Sequence, residues 1–269
     1  MYEKELEAAL HAAKEAQKVI LEVYAKDFDV EIKSDNSPVT EADKKADEMI
    51  RRELGKAFPE YGFLTEESKD TDERFSKRAI WIVDPVDGTK EFVSKNGQFT
   101  TNIALCVDNE IVVGIINVPC QNKIYYAVKG EGAYVLENGV ATRIHSSDRK
   151  DHLRAMRSVS FFNPSEAEFM ETHKARFEGE ATPIGAALKF CMIAEGKFDY
   201  FIRMSGGTKE WDVASGDLIV SEAGGILIQP DGTRFSYNRR DVYNRNGYIL
   251  ANSPENLSFR QVCTINFAD

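Results

Sequence analysis

Sulfur, imidazole and indole are scarce in this chain: its 269 residues include four cysteines, four histidines and two tryptophans. Cys106, Cys120, Cys191 and Cys263 show no CxxC spacing, so neither a thiolate metal site nor a disulfide framework is expected. Cys106 and Cys191 lie in apolar runs and read as buried thiols. His145, His152 and His173 stand outside any motif and read as surface or loop residues. Long apolar runs are missing too: a segment such as 111–118 is far too short to cross a bilayer. Residues 1–10 are charged, with no apolar signal core and no cleavage-site pattern, which points to a cytoplasmic protein without a membrane partner. There is no GxxxxGK[ST] phosphate loop, no nucleophilic-cysteine motif, no repeat and no low-complexity tract.

Positive charge is also in deficit. Against 44 Asp and Glu stand 34 Lys and Arg, a formal net charge of -10. That field disfavours nonspecific attraction to nucleic acid, and no stripe of aromatic and basic residues is present to track a strand. A nucleic-acid exonuclease is therefore disfavoured. An enzyme for small phosphorylated molecules stays open, provided local cations or bound metal offset the acidity. What is present, 42% apolar and 29% charged residues, excludes a disordered or collagen-like chain and predicts one large domain or two modest ones.

Leu6, Leu10, Ala13, Ala16, Ile20 and Tyr24 recur at helical spacing and predict a helix over 3–26. A polar, extended stretch over 31–38 leads to a second helix that starts near Thr40, where Thr40 and Asp43 fit a capping box, and ends before Pro59. Apolar runs at 79–83, 101–107, 111–118, 124–128 and 133–136 have short polar separators and predict antiparallel hairpins. Past residue 145 come strands at 154–160 and 199–202, helices at 166–176, 186–194 and 211–223, and closing strands at 226–229 and 248–251. Gly224-Gly225 stops the last helix. The class is α+β, with a soft division into halves 1–145 and 146–269 that act as one unit.

The most informative segment is Asp84-Pro85-Val86-Asp87-Gly88-Thr89. Asp84 ends an apolar strand, Pro85 leaves the sheet, and Asp87 returns a second carboxylate nearby. Two carboxylates so close repel unless neutralised, and an oxygen-rich site of this kind suits magnesium or manganese. Gly88 permits an unusual dihedral, Thr89 offers a hydroxyl, and the two amides could receive a phosphate oxygen. The same string is also a good turn, its aspartates accepting backbone hydrogen bonds. Asp43, Glu66, Glu67 and Asp212 are further acids near element ends, where capping or a solvated surface is the plainer alternative. The charged run 69–78 reads as a wet loop.

Several segments, taken in order, resemble the inositol monophosphatase-like family of magnesium-dependent, lithium-inhibited phosphatases. They are 33–43 (KSDNSPVTEAD), 64–67 (LTEE), 81–92 (WIVDPVDGTKEF), 96–105 (NGQFTTNIAL), 188–197 (LKFCMIAEGK), 210–212 (EWD) and 222–225 (EAGG). The similarity spans nearly the whole chain, and Lys90-Glu91-Phe92 looks like the bacterial 3'(2'),5'-bisphosphate nucleotidase branch, the CysQ type. The resemblance implies a layered αβαβα sandwich, with the site between its halves and two or three Mg2+ (or Mn2+) ions. It implies Glu67, Asp84 and the Val86 carbonyl as ligands of a first ion, with Thr89 beside it. It implies Asp84, Asp87 and Asp212 as ligands of a second ion, Glu67 also near a third, and Glu66 as a neighbouring acid. Asp43 and Thr89 resemble the pair that activates the attacking water, which disfavours a non-catalytic phospholigand-binding module.

The implied reaction is removal of the 3'-phosphate of 3'-phosphoadenosine 5'-phosphate to give AMP and phosphate, clearing a by-product of sulfate assimilation. Substrate contacts are implied for Asp87, Gly88, Thr89, Gly185, Leu188, Lys189, Arg203, Thr208, Glu210 and Asp212. For those of the second half, helix packing and ordinary surface charge are the alternatives. Two features depart from the branch: Ala186 and Ala187 replace hydroxyl residues, and Val159 interrupts an Arg-Ser-His run. Inositol monophosphate or fructose 1,6-bisphosphate is therefore the alternative substrate. The expected partner is a small phosphorylated molecule, and the expected assembly a monomer or homodimer.

Overall fold

A computed structural model of the protein describes residues 1–33, 37–161 and 163–257. Residues 34–36 of the first motif and Cys263 lie outside the described residues. The chain opens with α1 (Glu3–Tyr24), a small hairpin of β1 (Val30–Ile32) and β2 (Pro38–Thr40), and α2 (Glu41–Ala57). The Thr40–Asp43 capping box forms as the sequence predicts. The inward face of α1 is Ala9, Ala12, Ala13, Ala16, Ile20 and Val23. Leu6, Leu10 and Tyr24 are only partly buried. Alanines replace the larger apolar residues on the inward side because α1 packs closely against α2.

The main sheet has seven strands in sequence order: β3 (Gly62–Thr65), β4 (Ala79–Asp87), β5 (Thr100–Val107), β6 (Glu110–Val118), β7 (Lys123–Val128), β8 (Gly132–Glu137) and β9 (Val140–Ile144). Between β4 and β5 lies the short helix α3 (Thr89–Val93). β3 runs parallel to β4, and every later pair is antiparallel. Successive strand residues point to opposite faces, and both faces here are apolar. Trp81, Val83, Ile103 and Leu105 bury against α1 and α2. Ile80, Ile82, Ala104 and Cys106 face the other way.

That second face is covered by elements from beyond residue 145. In order these are β10 (Met156–Ser158), α4 (Pro164–Thr172), β11 (Thr182–Ile184), α5 (Leu188–Ala194), β12 (Tyr200–Arg203), α6 (Glu210–Glu222), β13 (Ile226–Ile228) and β14 (Tyr248–Ala251). α5 and α6 lie on the main sheet, and a second sheet of order β12-β14-β13 lies beyond them. Phe201, Leu227 and Leu250 of that sheet face α5 and α6. Tyr200, Ile202, Ile226 and Ile249 face outward to Phe169 of α4. Alternation in two sheets thus yields five layers, helix–sheet–helix–sheet–helix.

Several elements are shorter than the sequence predicts. The strand at 154–160 shrinks to β10, and the helix at 166–176 ends as α4 with a separate turn of 3-10 helix. The helix at 186–194 starts only at Leu188, because Ala186 sits at φ 47, outside helical space. Among the described residues no helix is long and apolar enough to cross a membrane.

α6 docks on β6 through Gly114, where a Cβ would stand 2.7 Å from the Ser215 carbonyl oxygen. Gly114→Ala should destabilise the protein by about 1–3 kcal/mol through overpacking. At Gly55, inside α2, a Cβ would meet only the Phe63 ring, at 3.9 Å. Gly55→Ala should gain about 0.5–1 kcal/mol from helix propensity. Urea unfolding of the two variants checks the pair of opposite signs.

Candidate active site

Regular pairing of β4 with β5 holds through Asp84, opposite Asn102, then shifts register before Asp87 meets Thr100. Pro85 has no N–H to continue the ladder, and the Val86 N–H turns back to donate to the Asp84 carboxylate at 3.1 Å. In an unbroken strand, residues three apart face opposite sides. The bulge brings Asp84 and Asp87 to one side. Thr101 Oγ1 pins it by donating to the Pro85 carbonyl at 2.9 Å. Asn102 Nδ2 donates to Asp87 Oδ2 at 3.2 Å.

Asp212 comes from the first turn of α6, where its carboxylate accepts the Lys209 N–H at 2.5 Å. The capping role that the sequence allows is therefore real, but it is not the whole role. Asp84, Asp87 and Asp212 each offer an oxygen within 4.8 Å of the others. Burial first, and then the neighbouring acids, push the Asp84 carboxyl well above the usual range. Burial together with the Asp87 charge pushes Asp212 up to about 8. Asp87 is pushed up to about 6 by burial, with the Lys189 ammonium and the Asn102 hydrogen bond pulling it back. Hard oxygens crowded so closely suit a hard divalent cation.

Glu66 joins this group by following β3, which is parallel to β4; its N–H donates to the Val83 carbonyl at 3.2 Å. It lines a cavity of about 430 Å³ together with Asp84, Val86, Asp87 and Asp212. Glu67 does not line that cavity. Its carboxylate is held by Lys33, which also reaches Glu66 at 3.0 Å. Consecutive residues leaving a strand point to opposite sides, so only one of the two glutamates turns toward Asp84. The assignment of Glu67 as the inward acid is corrected in favour of Glu66.

Asp43, at the start of α2, accepts from the Thr40 N–H at 2.8 Å and the Thr40 hydroxyl at 2.6 Å. Its other oxygen accepts the Thr89 hydroxyl at 3.1 Å, and the Val86 carbonyl lies 3.3 Å from the same hydroxyl. Burial raises the Asp43 pKa against these hydrogen bonds. Gly88 makes the turn into α3 at φ 88, and a Cβ there would stand 3.0 Å from the Ala186 methyl. Gly185 is constrained by close approach, since a Cβ there would stand 2.7 Å from the Gln98 carbonyl oxygen.

The same cavity also carries cations. Lys189 is buried, donates to the carbonyls of Ala186 at 2.7 Å and Ile184 at 3.2 Å, and has its pKa pushed down to about 8 by burial despite Asp87. Arg203 is 8% exposed, touches Ser158 Oγ at 3.4 Å, and its Nε has no hydrogen-bond partner. Gly185, Thr208, Ala186, Ala187 and Val159 also line the cavity.

Two of the expected contacts lie elsewhere. Leu188 turns into the core behind the site. Glu210 is fully buried on the far side of α6, accepting from the N–H groups of Asn238 at 2.7 Å and Arg239 at 2.9 Å and from the Arg239 side chain. It is a structural anchor, because a helix sends adjacent residues to different sides. Sequence reasoning missed Lys90, Phe161, Lys209 and Tyr243 as lining residues. Lys90 stood inside a quoted motif, whereas Phe161 and Tyr243 lie in loops without periodicity.

Comparison with known proteins follows the same lines. Residues 1–262 match the model of the inositol monophosphatase family. The 3'(2'),5'-bisphosphate nucleotidase CysQ of Escherichia coli K12 is 35% identical over 249 residues, 91% of this chain and 99% of that protein. The crystal structure of CysQ from Bacteroides thetaiotaomicron superposes with a TM-score of 0.78 at 36% identity, over 92% of this chain and 96% of that one. The Thermotoga maritima IMPase gives a TM-score of 0.79 at 26% identity, over 96% and 94%.

The raised carboxylates fix a sign for pH dependence. Asp212 and Asp87, ordinarily near 3.8, hold protons in the folded state up to about 8 and about 6. Between those values the native state binds more protons than the unfolded one, so stability falls as pH rises. Metal-free protein should unfold at lower urea at pH 8 than at pH 6, and Asp212→Asn should flatten that difference. Added Mg2+ should stabilise more at pH 8, where protons compete less. Metal-free stability that climbs from pH 6 to pH 8 would contradict the site's electrostatics.

Proposed function

The chain belongs to the inositol monophosphatase family and is a phosphatase, and from that premise we propose that it removes the 3'-phosphate of 3'-phosphoadenosine 5'-phosphate with the aid of magnesium. The products are AMP and phosphate, and the cellular effect is to clear a by-product of sulfate assimilation. One observation carries this reading: an acid cluster and a pair of buried cations, Lys189 and Arg203, line the same cavity. A bisphosphate has a group for each pole, whereas a monophosphate leaves the cationic pole without an anion. The name of the E. coli relative agrees with that division.

Asp84, Asp87, Asp212, Glu66 and the Val86 carbonyl are the oxygens that would hold the ions. Bound magnesium supplies charge that neutralises phosphoryl and carboxylate oxygens together and lowers the pKa of water. The protein's own residues do the rest. Thr89 Oγ1 donates to Asp43 at 3.1 Å, which leaves its lone pairs free to accept a proton from water while its own proton passes to the carboxylate. The raised pKa of Asp43 suits it to accept that proton. Asn102 and Thr100 hold Asp87 in position, and Lys189 with Arg203 would bind the second phosphate.

The second reading is a polyol or sugar phosphate, favoured by the likeness to the Thermotoga maritima IMPase. Val159, Ala186 and Ala187, which stand where the nucleotidase branch carries polar side chains, keep this second reading open. A phosphate-release panel with Mg2+ decides between them. Adenosine 3',5'-bisphosphate should be cleaved in preference to inositol 1-phosphate and fructose 1,6-bisphosphate, and chelation should abolish turnover. Preference for either of the latter two overturns the nucleotide reading. Asp87→Ala, Asp212→Ala and Glu66→Gln should each lower turnover more than about a hundredfold. Glu67→Gln should stay within about tenfold of the parent enzyme, since its carboxylate faces Lys33 rather than the cavity. Equal losses in the two Gln variants would remove the distinction between these glutamates.

A further inference from the structure

Phe161 is the only aromatic residue among the exposed large apolar side chains of the described residues, with 50% of its surface open. It lies where two cavities meet. It lines the cavity of the carboxylates, and with Ser158 and Val159 it also lines a second cavity of about 410 Å³ walled by Met156, Met170 and Phe177. The ring is held by two cations, with Lys90 Nζ 4.2 Å and Arg203 Cζ 4.8 Å from its centroid. Exposing a ring of this size is unfavourable unless something covers it in use. Val159, Ala186, Ala187 and Arg203 line the same cavity, so a group that covers the ring from there would lie close to Arg203, where a second phosphate would bind.

We propose that Phe161 is a specificity-determining residue whose ring stacks the heterocyclic base of a nucleotide substrate. This rests on the nucleotidase reading and adds the part of the protein that tells a nucleotide from other bisphosphates. Stacking a base on an aromatic side chain is tolerant of base identity, so the ring selects for a flat π-system. A hydroxyl-rich polyol gains nothing from the same surface. The alternative role is to shield Arg203 through the cation–π contact, and that role acts on any ligand whose phosphate Arg203 holds.

Steady-state kinetics of the Mg2+-loaded enzyme separate the two. Adenosine 3',5'-bisphosphate and base-free ribose 3,5-bisphosphate are compared on the parent, Phe161→Ala and Phe161→Tyr. For Phe161→Ala, KM for the nucleotide should rise about tenfold with kcat nearly unchanged, while KM for the base-free compound stays within about twofold. Phe161→Tyr should restore the parental ratio. An equal rise for both substrates, or no rise for either, overturns the proposal while leaving the nucleotidase reading intact. A parent enzyme that cleaves the base-free compound but not the nucleotide overturns both.

Discussion

Three carboxylates that repel one another are buried at one point, and much of the surrounding structure exists to keep them there. Asp84, Asp87 and Asp212 come from two elements and meet within 4.8 Å. Within the cluster the repulsion is relieved only by a proton or a cation. The restraint is applied from outside. Thr101 fixes the β4 bulge, Asn102 bonds Asp87 and reaches the Trp211 carbonyl at 3.5 Å, and so one side chain ties β4 to the start of α6. At the other end of α6, Glu222 accepts the N–H groups of Gly130 and Gly132 at 2.7 and 2.8 Å. The helix is fixed at both ends and pressed against Gly114 in the middle. Such preorganisation costs stability in the metal-free state and removes the cost of rearrangement when the charge is neutralised.

The net charge of -10 takes on a different meaning in this light. The cavity lining is not uniformly acidic: Lys90, Lys189, Arg203 and Lys209 stand in the same wall system as Glu66, Asp84, Asp87, Glu91 and Asp212. Both signs of charge meet within one cavity, the Lys189 ammonium acting on Asp87 and the Lys209 ammonium on Asp212. The acid cluster recruits cations, and Lys189 and Arg203 remain open to an anion because two of their carboxylate neighbours, Glu91 and Glu166, are bonded to other groups. Glu91 accepts from Ser160 at 2.6 Å, and Glu166 accepts the Met204 N–H at 2.9 Å. A broadly basic surface would attract any polyanion, whereas this arrangement admits only what fits both poles.

What the sequence disclosed follows the range of the forces involved. Strands β4 to β8 of the main sheet, the capping box at Thr40 and the Gly224 stop depend on neighbours a few residues apart, and these were legible. The DPVDG string showed where two acids converge, although not that a register shift brings them to one side. Short strands such as β3 and β11 carry too few residues for a period to show. The Glu66–Glu67 pair illustrates the limit most clearly. Two identical side chains differ only in direction, which is set by the parallel pairing of β3 with β4, a contact made by no local pattern. Glu210 and Leu188 fail for the same reason, since helix rotation decides which residue faces the cavity.

The same dependence bears on how the two parts of the chain relate. One face of the main sheet, with Ile80, Ile82, Ala104, Cys106 and Ile116, is covered by Phe190, Val213, Ala214 and Ile219 from beyond residue 145. Removing the later part would uncover that face, a large apolar surface that water disfavours. The acid cluster divides along the same line, with Asp84 and Asp87 before residue 145 and Asp212 after it. The apolar contact that joins the two parts is therefore also the contact that assembles the site. Folding free energy from burial is what forces three like charges together, and a divalent ion, once bound, returns part of that energy to the fold. Stability and metal affinity are for this reason two measurements of one equilibrium, and a substitution at the seam between α6 and β6 should move both.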